Sequence, residues 1–305
     1  MLRNLSSTVV ICALVSSAQG SPTLDGVRDA SYGSAAAVQT VQTGFGDANP
    51  SGGSELDAAY ARVEGGTLYL LLTGNLESNF NKLNIFIDSQ AGGQNVLQNN
   101  ANSGGNNPEN DGWAGKYAGF TFDTGFQADY LLILRNGFSP GARFDIDYAV
   151  VGGGLGNYLT AGDVFAGSLV GANAAALPNG IGVAFDNSNV AGVTGGSDAA
   201  NQAAAAAVAT GLELSIPLAA LGNPVGAFKI SAMINGSNHD YLSNQFLGGL
   251  TPPQGNLGGD GAGGFNGTVG QINLNSFAGD QYFTVVPEPA SLALLGLVCL
   301  VRRRA

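Results

Sequence analysis

Several windows of the chain alternate apolar and polar residues with a period of two. Phe144-Asp145-Ile146-Asp147-Tyr148 puts Phe144, Ile146 and Tyr148 on one face and both aspartates on the other. Leu212-Glu213-Leu214-Ser215-Ile216 and Phe228-Lys229-Ile230-Ser231-Ala232 repeat the pattern. Successive side chains of a strand point to opposite faces, so each window predicts a strand with one buried face and one solvated face. Three other windows, Leu68–Leu72, Ile85–Ile87 and Tyr130–Leu134, are apolar throughout. They predict central strands covered on both sides.

Turn residues punctuate these runs. Gly65-Gly66 predicts a hairpin between Ala58–Val63 and Leu68–Leu72. Asn136-Gly137 reads as the close of the Tyr130 strand, and Asn179-Gly180 as the turn before Ile181–Phe185. Pro217, Leu218–Leu221 and Gly222 predict one short helical turn, with Pro at its start and Gly past its end. The stretch Ala199–Ala209 has helix propensity but runs directly into the Leu212 strand, so both conformations stay open. The longest loops are Gly92–Trp113, Gly152–Gly162 and Leu247–Gly270. The reading is all-β, with about ten to twelve strands and few helices. No internal repeat is evident, which disfavours propellers and β-helices. A single large, jelly-roll-like β-sandwich with long Gly/Asn-rich loops fits best, and two small β domains are the alternative.

Composition narrows the function. The chain has 305 residues, of which 45% are hydrophobic, enough to build a core and to exclude wholesale disorder. Its 48 glycines have no three-residue period, which excludes collagen. Eleven Lys and Arg face 22 Asp and Glu, a net charge of −11. A nucleic-acid partner is excluded on that balance, because such a protein needs a basic surface to displace counterions.

The two ends carry targeting patterns. Residues 1–20 read as a secretory signal peptide, with Arg3, the apolar stretch Thr8–Val15 and the small-x-small site Ala18-Gln19-Gly20. The mature chain then starts at Ser21, and bulky Ile11 argues against Cys12 as a lipoprotein cysteine. The other end reads Pro287-Glu288-Pro289, then the apolar run Ala290–Val301, then Arg302, Arg303 and Arg304. As a helix that run spans about 18 Å at about 1.5 Å per residue, against about 30 Å for a bilayer core. It predicts a short, transiently inserted helix, with the arginines cytoplasmic and the body outside.

This tail closely resembles the PEP-CTERM sorting signal of Gram-negative bacteria, which is also labelled an ice-binding protein C-terminal domain. The resemblance implies processing by a membrane exosortase and delivery to the cell surface or extracellular matrix, where exopolysaccharide is an expected neighbour. The domain organisation that follows is a signal peptide at 1–20, a β-sandwich at 21–286 and a sorting tail at 287–305. Both cysteines, Cys12 and Cys299, lie in the removable ends. The mature body would then have no disulfide, no Cys nucleophile and no thiolate metal site. Its charge would be −14, seven basic residues against 21 acidic ones.

The body carries a second, shorter resemblance. Leu24-Asp25-Gly26-Val27-Arg28-Asp29-Ala30-Ser31-Tyr32 and Gly211-Leu212-Glu213-Leu214-Ser215-Ile216-Pro217 look like the opening and a late strand of family 9 carbohydrate-binding and DOMON-like sandwiches. That resemblance implies binding of sugar or another small ligand, sometimes with structural calcium. The paired tryptophans of family 9 are not both present, since Trp113 is the only Trp.

Candidate chemistry is sparse. Trp113, with Asp111 before it and Tyr117 behind it, either stacks on a sugar ring or anchors its loop. Asp145 and Asp147 share a strand face with Cα atoms about 6.6–6.8 Å apart. They suit a Ca²⁺ site, a glycosidase-type carboxylate pair or, most simply, a solvated face. Asp25 with Asp29 is a second calcium candidate. His239, the only histidine, reads as a loop residue making ordinary hydrogen bonds. A single His leaves no multi-histidine zinc site. The glycines of Gly152–Asn157 are not followed by Lys-Ser/Thr, so they read as a flexible loop. The expectation is a secreted, non-enzymatic surface protein that needs no cofactor beyond a structural calcium and binds glycan. A structural or adhesive matrix protein is the alternative, followed by a carboxylate-based glycoside hydrolase.

Overall fold

The computed structural model describes residues 20–47, 53–100, 112–138, 141–153, 157–161 and 175–287. Gly65 and Gly66 have φ of 58° and 80°, the left-handed pair that a two-residue hairpin turn requires. They join β2 (Glu55–Glu64) to β3 (Thr67–Asn75) with Glu64 opposite Thr67. The register slips between Leu56 and Ala58, so Asp57 sits at a bulge.

Thirteen strands are described, in two antiparallel sheets. The six-stranded sheet runs β1 (Ala37–Val38), β2, β3, β10 (Gly211–Pro217), β9 (Gly182–Phe185) and β8 (Ala175–Ala176). The seven-stranded sheet runs β12 (Leu242–Leu247), β11 (Phe228–Asn235), β4 (Lys82–Asp88), β5 (Tyr130–Phe138), β6 (Ala142–Val150) and β7 (Asn157–Ala161). Its last member, β13 (Phe283–Val285), pairs with the start of β11. Two short α-helices, α1 (Trp113–Tyr117) and α2 (Gln202–Ala207), and three 3-10 turns complete the described elements.

The main core lies between the sheets. Leu68, Leu70 and Leu72 of β3 and Leu212, Leu214 and Ile216 of β10 meet Ile85 and Ile87 of β4, Leu132 and Leu134 of β5 and Ile230 of β11. A second core covers the outer face of the seven-stranded sheet. There Phe86, Leu131, Ile133 and Met233 pack against Trp113, Tyr117, Phe120, Phe122 and Phe126 from the segment preceding β5. Tyr32, Ala58, Tyr60 and Leu71 form a smaller cluster outside the other sheet. The continuous apolar runs thus belong to β3, β4 and β5, central strands buried on both faces. Buried amides close one side of the sandwich: Gln245 Oε1 accepts from Leu56 N and Gln39 Nε2, both at 3.2 Å.

Four expectations need correction or completion. Asn136-Gly137 does not close its strand but lies inside β5, opposite Phe144 and Arg143. The glycine loop after β6 contains a strand, β7, at 157–161. The Ala-rich stretch holds the six-residue helix α2, capped by Asn201 Oδ1 on Ala204 N at 3.2 Å, and the chain extends again before β10. The faces read as solvated are in part covered: Asp145, Asp147 and Glu213 are all buried. Leu218–Leu221 forms the expected turn, as a 3-10 helix with left-handed Gly222 after it.

Candidate functional site

Trp113 and Tyr117 open and close α1, one turn apart, and both face inward at 4% and 0% exposure. Tyr117 Oη donates to Asn84 Oδ1 and accepts from Asn235 Nδ2, each at 3.0 Å. Its ring meets Phe86 edge-on at 5.5 Å and His239 at 6.0 Å. Trp113 is therefore the packing anchor of its segment and offers no exposed face for a sugar. Asp111 lies outside the described residues. His239 sits in a loop as expected, but it is buried against Tyr117 with φ of 55°.

Asp145 and Asp147 point to the same face of β6, as their spacing predicts, but the face is not solvated. Arg135 Nε reaches Asp145 Oδ2 at 3.1 Å, and its Nη1 reaches Asp147 Oδ2 at 2.9 Å. Arg143 Nη2 adds a second contact to Asp145 Oδ2 at 2.9 Å. Arg135 lies directly across from Asp145 in the β5–β6 register, so the sheet itself aims the guanidinium. Guanidinium groups occupy the place a calcium ion would take, and both carboxylates are closed to a substrate.

The second pair of calcium candidates makes local hydrogen bonds. Asp25 Oδ1 accepts from Val27 N at 2.9 Å, and Asp29 Oδ2 accepts from Thr23 N at 2.5 Å. Their segment instead meets Glu213. Glu213 Oε2 accepts from Asp25 N and Gly26 N, both at 2.9 Å, and Oε1 accepts from Tyr32 Oη at 2.7 Å. The two stretches quoted for the carbohydrate-binding resemblance thus clasp each other. Burial pushes the Glu213 carboxyl upward, against the three hydrogen bonds that favour its charged form. Among the described residues, no group of three or more His, Cys, Asp or Glu is placed to hold a metal ion.

One acid pair escaped the sequence reading. Glu55 and Asp57 open β2 and are both fully buried. Asn189 Nδ2 donates to both, to Glu55 Oε1 at 3.0 Å and to Asp57 Oδ2 at 3.3 Å. Val193 N donates to Asp57 Oδ1 at 2.8 Å. Burial is the main cause that raises Asp57 to about 7, and nearby Asp47 pushes the same way. The chain around Gly192 crosses directly over this carboxyl. A Cβ at Gly192 would fall 2.0 Å from Asp57 Oδ1, so only glycine fits. The signal was present in Ser54-Glu55-Leu56-Asp57, which has the same acid spacing as Asp145 and Asp147.

Comparison with known proteins adds no relative. No family model, curated protein or solved structure matches the chain. Of the sorting residues, Pro287 is described and follows β13 by two positions. Glu288, Pro289, Arg302, Arg303 and Arg304 lie outside the described residues, as do residues 1–19 of the signal reading. Among the described residues no helix is long and apolar enough to cross a membrane.

Proposed function

We propose that this chain is an exported, non-enzymatic protein of a bacterial cell surface or extracellular matrix, where its acidic sandwich acts as a structural or adhesive module. Residues 1–20 direct export. Residues 287–305 form a tail that inserts transiently into the membrane and is processed by an exosortase-type enzyme. The observation that carries this reading is the sequence of the two ends, the apolar stretch before Ala18-Gln19-Gly20 and Pro287-Glu288-Pro289 before an apolar run and three arginines. Among the described residues the paired structure runs from the Val27 bridge to Val285. A large negative charge keeps such a body soluble and self-repelling outside the cell.

The inward packing of Trp113 and Tyr117 favours the structural role over glycan binding through those rings. Exopolysaccharide is then a neighbour in the matrix. The Arg135 contacts count against a structural calcium at Asp145 and Asp147, while Asp25 and Asp29 each accept from a nearby backbone N–H.

Fractionation tests the reading. Glu288→Ala, or deletion of Pro287–Pro289, is expected to leave uncleaved protein in the membrane. Normal surface release of these variants, judged by fractionation and mass, would count against it. Specific binding of the full chain on a carbohydrate array would restore glycan recognition as its role.

A further inference from the structure

After β9 the chain crosses one end of the sandwich as a strap, residues 187–193. Both of its ends are tied by backbone: Asp186 N donates to Gly211 O at 2.9 Å, and Thr194 O accepts from Thr43 N at 2.9 Å. Between those ties, among the described residues, no backbone–backbone hydrogen bond holds it. Side chains do the fastening instead. Asn187 Oδ1 accepts from Leu76 N at 2.9 Å and its Nδ2 donates to Leu76 O at 3.1 Å. Asn189 reaches Glu55 and Asp57, and Val193 N donates to Asp57 Oδ1. Segments held in this way are the ones that open locally while the rest of a fold stays closed. The residues under the strap, Glu55, Asn75 and Leu76, also line a narrow apolar crevice between the sheets, together with Leu56, Leu83 and Phe185.

Asp57 is the fastening that can change its charge. It is fully buried, and the donors that reach it from the strap, Asn189 Nδ2 and Val193 N, are neutral. Two further acids face it, Glu55 from the same strand and Asp47 from the segment before β2. The strap itself brings no charge, since residues 187–193 read Asn-Ser-Asn-Val-Ala-Gly-Val. The neighbouring strands present Thr73, Gly74 and Asn75 of β3 and Gln245 of β12, all uncharged. An ionised Asp57 therefore adds negative charge to a buried acidic site, and lifting the strap hydrates it. Burial raises this carboxyl from 3.8 to about 7, so the closed strap keeps a proton that a hydrated Asp57 releases near pH 4. Closure is fully supported below about pH 4 and loses that support as pH rises towards 7.

We propose that residues 187–193 form a pH-gated strap: neutral Asp57 latches it over the end of the sandwich, and loss of the Asp57 proton frees it to swing away and uncover the crevice between the sheets. The proton leaves to solvent, and no covalent bond in the chain changes. Gly192 makes the latch close-fitting, because its backbone crosses directly over the carboxyl with φ of 117°. The device does not depend on where the protein is delivered.

The test is hydrogen–deuterium exchange of the purified full chain at pH 5, 6, 7 and 8, read by peptide mass and corrected for the intrinsic rate at each pH. Protection of a peptide spanning 187–193 is expected to fall by up to about tenfold per pH unit between pH 5 and pH 7 and to level off above that. At every pH it should lie at least about tenfold below the protection of β3 peptides, the mark of local opening. Asp57→Asn should hold the strap's protection constant over the same range. Gly192→Ala, whose Cβ would fall 2.0 Å from Asp57 Oδ1, should lower it at every pH. Protection of the parent strap that stays constant from pH 5 to pH 8 overturns the inference, whether or not either variant folds. Strap protection equal to that of β3 overturns it too, because the strap would then open only with the whole sandwich. An equal fall in Asp57→Asn gives the titration to another group and overturns Asp57 as the latch.

Discussion

Glu55 and Asp57 on β2, and Asp145 and Asp147 on β6, have the same spacing and the same burial, yet they are held by different partners. On β6 the neighbouring strand supplies Arg135 in register, and its guanidinium reaches both carboxylates. On β2 the two carboxyls share the amide of Asn189. The first pair is stabilised by fixed cationic charge. The second accepts from neutral donors, Asn189 Nδ2 and Val193 N, and burial raises the Asp57 carboxyl. An acid-x-acid strand pattern therefore specifies a shared face and nothing about the counter-charge, which comes from a strand or loop distant in sequence.

The largest effect is expected from removing the cation. Arg135→Met leaves two buried carboxylates without their main partner and should destabilise the fold by about 3–5 kcal/mol in urea melts. Loss of less than about 1 kcal/mol would mean that the β6 pair behaves as a solvated face.

Glu213 is a third solution, a buried acid held by two backbone N–H groups and the Tyr32 hydroxyl. Glu213→Ala strands those donors and should destabilise by about 1–3 kcal/mol, measured the same way. Lys229 occupies the corresponding position on β11, one residue before the core residue Ile230, but it is only partly buried, with its Nζ 4.8 Å from the Tyr282 ring centroid. Lys229→Ala should cost about 0.5–1 kcal/mol. Equal losses at Glu213 and Lys229 would remove the distinction between a clasped acid and a surface cation.

Much of this fold is legible in the chain. The Gly65-Gly66 hairpin, the central strands at Leu68–Leu72 and Tyr130–Leu134, and the inward faces of Leu214 and Ile230 follow from period and turn chemistry. The outward faces were not legible, because what covers them comes from segments far away in sequence. The aromatic residues of 113–126 fold over the seven-stranded sheet, and Asn189 and Val193 fold over β2. Asn136-Gly137 misleads for the same reason: Asn136 Nδ2 donates to Leu76 O at 3.0 Å, so tertiary context holds a turn-prone pair in a strand. Trp113 read as platform or anchor, since one aromatic in a polar stretch carries little information about its orientation.

The contrast between the two acid pairs is tested most directly by the stability of the parent chain and Asp57→Asn across pH. Asp57 is raised from 3.8 to about 7 in the folded state, so its stabilising contribution is complete below about pH 4 and is lost as pH rises towards 7. Asparagine does not titrate. The stability of the variant relative to the parent should therefore rise between pH 5 and pH 7, by up to about 1.4 kcal/mol per pH unit, and level off above that. A difference that stays constant from pH 5 to pH 8 would mean that burial does not raise the Asp57 carboxyl, and that the two acid pairs do not differ in this respect.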